Sequence, residues 1–285
     1  MNRFFAFAAA VICLSACTSA VTLEYTMEEP VDYVSTLVGT MSKHSLSTGN
    51  TYPAVGMPWG TDFWTPQTGR NGDGWTYCYS ADKIVGLKRT HQPSPWINDY
   101  GAMSIMPVTT GPVHDQNERA SWFSHKAEKA TPYSYEVYLA DHDVYAELAP
   151  TQHACSFRFT YPESEMSYLV VDGYDERSYV EVVGKNRIVG YVCNNHGGVP
   201  ENFRDWFVIE SDTEFVTSEC DGHTYAMVGF PTKKGQKVNV KVASSFISLD
   251  QADVNMKELA GKDLDSVKAE GRKAWNDVLS RFITT

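Results

Sequence analysis

What this chain of 285 residues lacks first is positive charge: 24 Lys and Arg stand against 35 Asp and Glu, a net charge of -11. No basic cluster interrupts that balance. A face for nucleic-acid phosphates is therefore missing, and so is one for an anionic membrane surface. Cysteine is sparse and unpatterned. Cys78, Cys155, Cys193 and Cys220 are too widely and irregularly spaced for a zinc site or a cystine framework, and are expected to be mostly buried free thiols. The Gly-rich run Gly69-Arg70-Asn71-Gly72-Asp73-Gly74 has no lysine after it and no helix pattern opening from it, so it is no nucleotide loop. Helical periodicity is absent until the C-terminus.

The one continuous apolar run, Phe4 to Leu14, is too short to span a bilayer. It follows the short positive Asn2-Arg3 segment and ends in Leu14-Ser15-Ala16-Cys17, the order of a bacterial lipoprotein signal. Residues 1–16 are read as that signal, Cys17 as the lipidated residue, and residues 17–30 as an aperiodic tether. The expected location is an exported bacterial lipoprotein, in the periplasm or on the outer-membrane surface. An ordinary signal peptide with an incidental cysteine is the other reading.

What is present is period-2 alternation and aromatic side chains, 16 Tyr and 7 Trp among them. Tyr133, Tyr135, Val137 and Leu139 alternate with polar residues. Cys155, Phe157, Phe159 and Tyr161 repeat the pattern, as do Val238, Val240 and Val242. Further short runs lie at 168–171, 187–192, 206–210 and 225–230, separated by turns such as Asp172-Gly173 and Asp221-Gly222. Many short strands without intervening helices mean antiparallel sheets, and the expected fold is mainly β: a large two-sheet β-sandwich over residues 31–250. Residues 251–285 are read as a helical segment. In it Leu264, Val267, Trp275, Val278, Leu279 and Phe282 share one face, Asp263 caps the start, and Gly271 interrupts the pattern.

The stretch from Val85 to Pro107 concentrates chemistry: Lys88, Arg89, His91, two prolines around Ser94, then Trp96 and Asp99. Proline fixes φ and withholds a donor, so residues 91–100 are expected to form a stiff loop between two strands. A flat aromatic face beside charged partners is how sugar sites are built. A proline-rich surface loop with a buried tryptophan fits the same residues. His196, between paired asparagines and glycines, reads as part of a tight turn. Asp141-His142-Asp143 reads as a strand-joining loop, because neighbours in extended chain point to opposite faces.

Taken in order, VDYVSTLVGT, GNTYPAVGMPWG, THQPSPWINDYGAMSIMP, NNHGGVPENF and VKVASSFISLDQADVN followed by AWNDVL resemble the N-terminal half of the family 92 glycoside hydrolases. These are calcium-dependent, inverting exo-α-mannosidases. The resemblance implies a galactose-mutarotase-like supersandwich, then a linker helix, then an (α/α)6 catalytic barrel that lies outside this sequence. It implies a mannose-containing glycan as ligand, with Trp96 as an aromatic platform and Arg70, His91 and Asp99 as polar contacts to the sugar. The THQPSPW version of the loop resembles that of members acting on α-1,2-linked mannose. Calcium is implied for the whole enzyme, held mainly by the barrel, and no metal ligand and no catalytic residue is assigned here. The chain alone is expected to be inactive. A surface-tethered carbohydrate-binding lipoprotein without catalysis is the alternative.

Overall fold

The computed structural model describes residues 28–41, 51–69, 76–91, 94, 99–175 and 177–281. In chain order the strands are β1 (Phe63–Gln67), β2 (Lys83–Ile84), β3 (Gly86–Thr90), β4 (Met103–Val108), β5 (Ser121–Trp122), β6 (Glu128–Ala130), β7 (Tyr135–Leu139) and β8 (Val144–Pro150). They continue as β9 (Ala154–Tyr161), β10 (Ser164–Asp172), β11 (Tyr179–Val183), β12 (Arg187–Val192), β13 (Asp205–Ser211), β14 (Thr217–Cys220), β15 (Tyr225–Thr232) and β16 (Gln236–Ser245). Two helices close the chain, α1 (Leu249–Met256) and α2 (Leu264–Leu279).

Two large antiparallel sheets result. One has six strands in the order β1-β3-β4-β10-β15-β14, the other eight in the order β11-β12-β13-β16-β9-β8-β7-β6, and β2 with β5 forms a small ribbon. The fold is a β-sandwich, and its pairing follows from the alternation. In β9 Cys155, Phe157, Phe159 and Tyr161 face the core, while Arg158 and Thr160 reach the outer face. Register matches inner to inner: Val238, Val240 and Val242 of β16 stand opposite Phe159, Phe157 and Cys155. Aromatic contacts tie the two layers. Trp64 of β1 meets Phe157 edge-on at 4.8 Å, and Tyr161 meets Phe230 of β15 at 5.6 Å. Each such buried ring stabilises by about 1.5–3 kcal/mol.

The helices lie on the outer face of the eight-stranded sheet. Ser248 caps α1 by accepting from the Gln251 amide, and Ala252 packs on Val189 and Val208. Asp263 caps α2 by accepting from the Ser266 amide, and Leu264 and Val267 bury against Ala149, Ala154 and Ala243. Gly271 is explained by closeness: a Cβ there would come within 2.9 Å of the Tyr133 Cβ. Polar contacts finish the seam. Lys268 reaches Glu136 at 2.8 Å and Glu147 at 2.7 Å, and Arg158 forks onto Glu147 and Asp265. The short 3-10 turn Pro30–Tyr33 docks on α2 through Arg272 to Asp32 and the Asn276 side chain, which accepts from the Val31 amide.

The four cysteines are free thiols; Cys155 and Cys193 are buried, Cys78 half-buried and Cys220 exposed. His142 sits in the turn joining β7 to β8. Its Nε2 donates to the Arg119 carbonyl and its Nδ1 accepts from the Thr109 amide, a neutral, structural histidine whose pKa burial lowers. His196 lies in the turn whose glycines, Gly197 and Gly198, take positive φ.

Candidate functional site

One end of the sandwich gathers the charged residues of β3 and its continuation. The β1–β3 register pairs Phe63 with Thr90, which sets the flanking residues Asp62 and His91 against each other. Both faces of β3 are buried, so Lys88 and Arg89 have no route to water and must find carboxylates. Arg89 donates through Nη2 to Asp205 Oδ2 at 2.6 Å and to the Gly101 carbonyl at 3.0 Å. Lys88 Nζ lies 3.8 Å from Asp99 and within reach of Thr76.

His91 is the hub. Its Nδ1 is 2.9 Å from the Tyr100 carbonyl, and its Nε2 is 3.1 Å from Asp62 and 3.5 Å from Asp205. Asp62 also accepts from the Ser244 hydroxyl at the end of β16. The network therefore joins both sheets: Asp62, Arg89 and His91 belong to the six-stranded layer, Asp205 and Ser244 to the eight-stranded one. Burial opposes a charged His91, but the hydrogen bond to Asp62 and the charges of Asp205 and Asp62 outweigh it and raise its pKa. For Asp62, burial is again the largest influence, yet the bond from His91 and the charge of Arg89 hold its carboxyl below the ordinary range. Asp205 is raised to about 6, because burial outweighs Arg89 and His91 there.

Asp99 lies between β3 and β4 and bonds back to His91. Its Oδ1 accepts from the His91 amide at 3.2 Å and the Tyr100 amide at 2.9 Å. Beside it runs a group of rings from three connections. His91 lies 5.3 Å from Tyr100 and 4.8 Å from Phe246, and Phe203 lies 5.8 Å from Phe246. Phe246 stays 43% exposed. Phe203 also lines a cleft of about 370 Å³ with Cys193, Asn195, Pro200 and Arg204. The Gly101 amide donates to the Asn194 carbonyl, which ties the cleft wall to the same connection.

Of the residues singled out from sequence, His91 and Asp99 meet here. Trp96, Arg70 and Cys17 lie outside the described residues. Both ring nitrogens of His91 are committed to protein acceptors, so its place in the site is to hold the wall and leave no nitrogen for a sugar hydroxyl. Asp205 and Ser244 escaped the sequence reading, since more than a hundred positions separate them from His91. A signal did exist: consecutive cations Lys88 and Arg89 on a strand imply buried anionic partners somewhere in the chain.

Glycoside hydrolysis needs two carboxyl groups on opposite sides of a reacting carbon. Asp62, Asp99 and Asp205 are buried and face cations, histidine or backbone amides. Among the described residues no group of three or more His, Cys, Asp and Glu side chains is arranged to hold a metal ion.

The profile of the glycosyl hydrolase family 92 N-terminal domain matches residues 33–245. A GH92 inverting mannosidase from Bacteroides thetaiotaomicron VPI-5482 shares 40% identity at a TM-score of 0.84, over 89% of this chain and 36% of that one. A GH92 α-mannosidase from Bacteroides thetaiotaomicron shares 27% identity at a TM-score of 0.79, over 91% of this chain and 39% of that one. The structure of that α-mannosidase in complex with mannoimidazole matches at a TM-score of 0.78 and 27% identity, over 90% of this chain and 38% of that one. No curated protein sequence is significantly similar. The chain spans little more than a third of the length of these solved relatives.

Proposed function

This chain belongs to glycoside hydrolase family 92, as its N-terminal domain, and from that premise we propose that it forms the sugar-facing wall of an exported α-mannosidase. The carrying observation is the convergence at one sandwich end of the segment Asp99 to Gly101, the rings Tyr100, Phe203 and Phe246, and the adjoining cleft. The substrate is a glycan ending in mannose, of the α-1,2-linked kind by the THQPSPW sequence of that connection. Trp96 supplies the aromatic platform of the leaving-group subsite and Arg70 its polar contact, whereas Asp99, expected from sequence to touch the sugar, is held inside the wall like His91 by two backbone amides and Lys88. The acid, the base and the calcium ion belong to an (α/α)6 domain partnered with this wall, since the carboxylates described here are neutralised internally. Lipidation at Cys17 holds the protein to a bacterial membrane, in the periplasm or at the outer-membrane surface.

That internal neutralisation also supports a second reading, a surface lipoprotein that holds mannosides without cleaving them. Both readings are tested by titrating α-1,2-mannobiose into the purified chain. Weak binding that Trp96→Ala abolishes supports the wall, and binding unaffected by Trp96→Ala contradicts it. Turnover on adding a separately expressed barrel domain separates the enzyme from the binding protein.

A further inference from the structure

We propose that His91 is a positioning residue, a doubly protonated pin that ties the segment Asp99 to Gly101 to the second sheet and frees it when the ring loses a proton. The inference deepens the reading just given and rests on it only for the purpose of the pin, not for its existence.

The argument is geometric. Nδ1 faces the Tyr100 carbonyl, which can only accept, so Nδ1 carries a proton. Nε2 faces Asp62 at 3.1 Å and Asp205 at 3.5 Å, two carboxylates from different sheets. A neutral ring with its proton on Nδ1 would aim a lone pair at two anions in a site closed to water. A protonated Nε2 turns both contacts attractive. The surrounding charges agree. Arg89 and Lys88 come from β3, Asp62 precedes β1, Asp99 lies in the connection and Asp205 begins β13, and Cys155 of β9, Tyr100, Tyr52 and Tyr174 are further titratable neighbours of these carboxylates. With His91 charged, three cations meet three carboxylates. With His91 neutral, one buried negative charge is left over. Phe246 packs on the His91 ring and Phe203 packs on Phe246.

The ring also spans both ends of the connection. Its own amide and the Tyr100 amide converge on Asp99, and its Nδ1 returns to Tyr100. Losing the proton removes the tie to Asp62 and Asp205 and loosens the segment Asp99 to Gly101, whose amides bond to Asp99 and Asn194. The sign follows from the raised folded pKa. The contribution of the charged ring is full near the ordinary histidine value of about 6.5 and is lost as pH rises through the folded value, while below about 6 Asp205 takes up a proton and its share of the tie goes.

The test uses the full chain. Nitrogen-15 spectra of labelled histidine, with His91 assigned against His91→Asn, report the ring. Hydrogen exchange of the Tyr100 and Gly101 amides, corrected for intrinsic rates, is followed from about pH 6.5, above the Asp205 titration, to about pH 9. Both ring nitrogens should be protonated at neutral pH. Above the His91 midpoint, amide protection should fall by up to about tenfold per pH unit, the limit for one linked proton. In His91→Asn, which keeps the bond to Tyr100 but has no charge, protection should be lower and independent of pH. A singly protonated ring at neutral pH, or wild-type protection that stays flat through the His91 titration, overturns the proposal. If His91→Asn fails to fold, the wild-type exchange profile decides alone. Absence of mannoside binding with the pH-linked protection intact would remove the functional reading and leave the pin standing.

Discussion

Arg89 of β3 and Asp205 of β13 meet at 2.6 Å with both side chains wholly buried, one from each sheet of the sandwich. Their attraction offsets a desolvation cost that neither could bear alone. Removing one partner leaves an uncompensated charge in the interior. Arg89→Met should therefore cost about 3–5 kcal/mol of stability in urea unfolding. Combining it with Asp205→Leu should recover most of that loss, because the orphaned anion goes with it. A single substitution costing under about 1 kcal/mol, within the range of an exposed pair, would show that the ion pair is not the clamp described.

Gly190 offers a test of packing in the eight-stranded sheet. A side chain there would run into the Tyr179 carbonyl and lie 2.6 Å from the Phe207 ring. Overpacking of this kind costs about 1–3 kcal/mol. Gly190→Ala should lower the thermal midpoint without moving the far-UV spectrum, and an unchanged midpoint would mean the strands part more easily than the contacts indicate.

Acid should free α2 from the sheet. Burial works against the charged form of Glu147, but bonds from Arg158 and Lys268 outweigh it and hold its pKa down. The contribution is therefore whole above the ordinary carboxylate value and lost as pH falls through the folded one. Trp275 of α2 donates to the Gly56 carbonyl and reports the docking by fluorescence. Lys268→Met should move the release to higher pH, since Glu147 then protonates earlier. A release point identical in the variant and the parent would argue against this linkage.

How much of this was legible in the sequence depends on the distance over which each signal acts. Alternation at Tyr135 to Leu139, at Phe157 to Tyr161 and at Val238 to Val242 is local, and the strands there follow it. The Asp263 cap and the face of α2 are local too. β14 escaped notice because all four of its residues are exposed, with no buried face to mark it. α1 falls mostly within the 251–285 helical segment but was not told apart from α2: only Ala252 of its residues is fully buried, so its apolar stripe is weak. His91 and Asp99 were found as residue types in a loop, but their work was not. Asp205 and Ser244 reach His91 only through strand order, and strand order is not written in any short stretch of chain.

Lipidation is tested by chemistry on one atom. The order Leu14-Ser15-Ala16-Cys17 after an apolar run implies a lipid on the Cys17 sulfur. A tagged fatty acid fed to expressing cells should label the parent and not Cys17→Ser. Label retained in the variant contradicts the anchor.

The central claim is that this sandwich is a wall of the sugar site and not the seat of the acid and base. The direct measurement is release of free mannose from α-1,2-mannobiose by the purified chain with calcium present. The account predicts no turnover above background, because Asp62, Asp99 and Asp205 are each engaged with buried partners and none stands across open space from another. Turnover that Asp62→Asn or Asp99→Asn abolishes would contradict it, and would place the catalytic carboxylates in this chain.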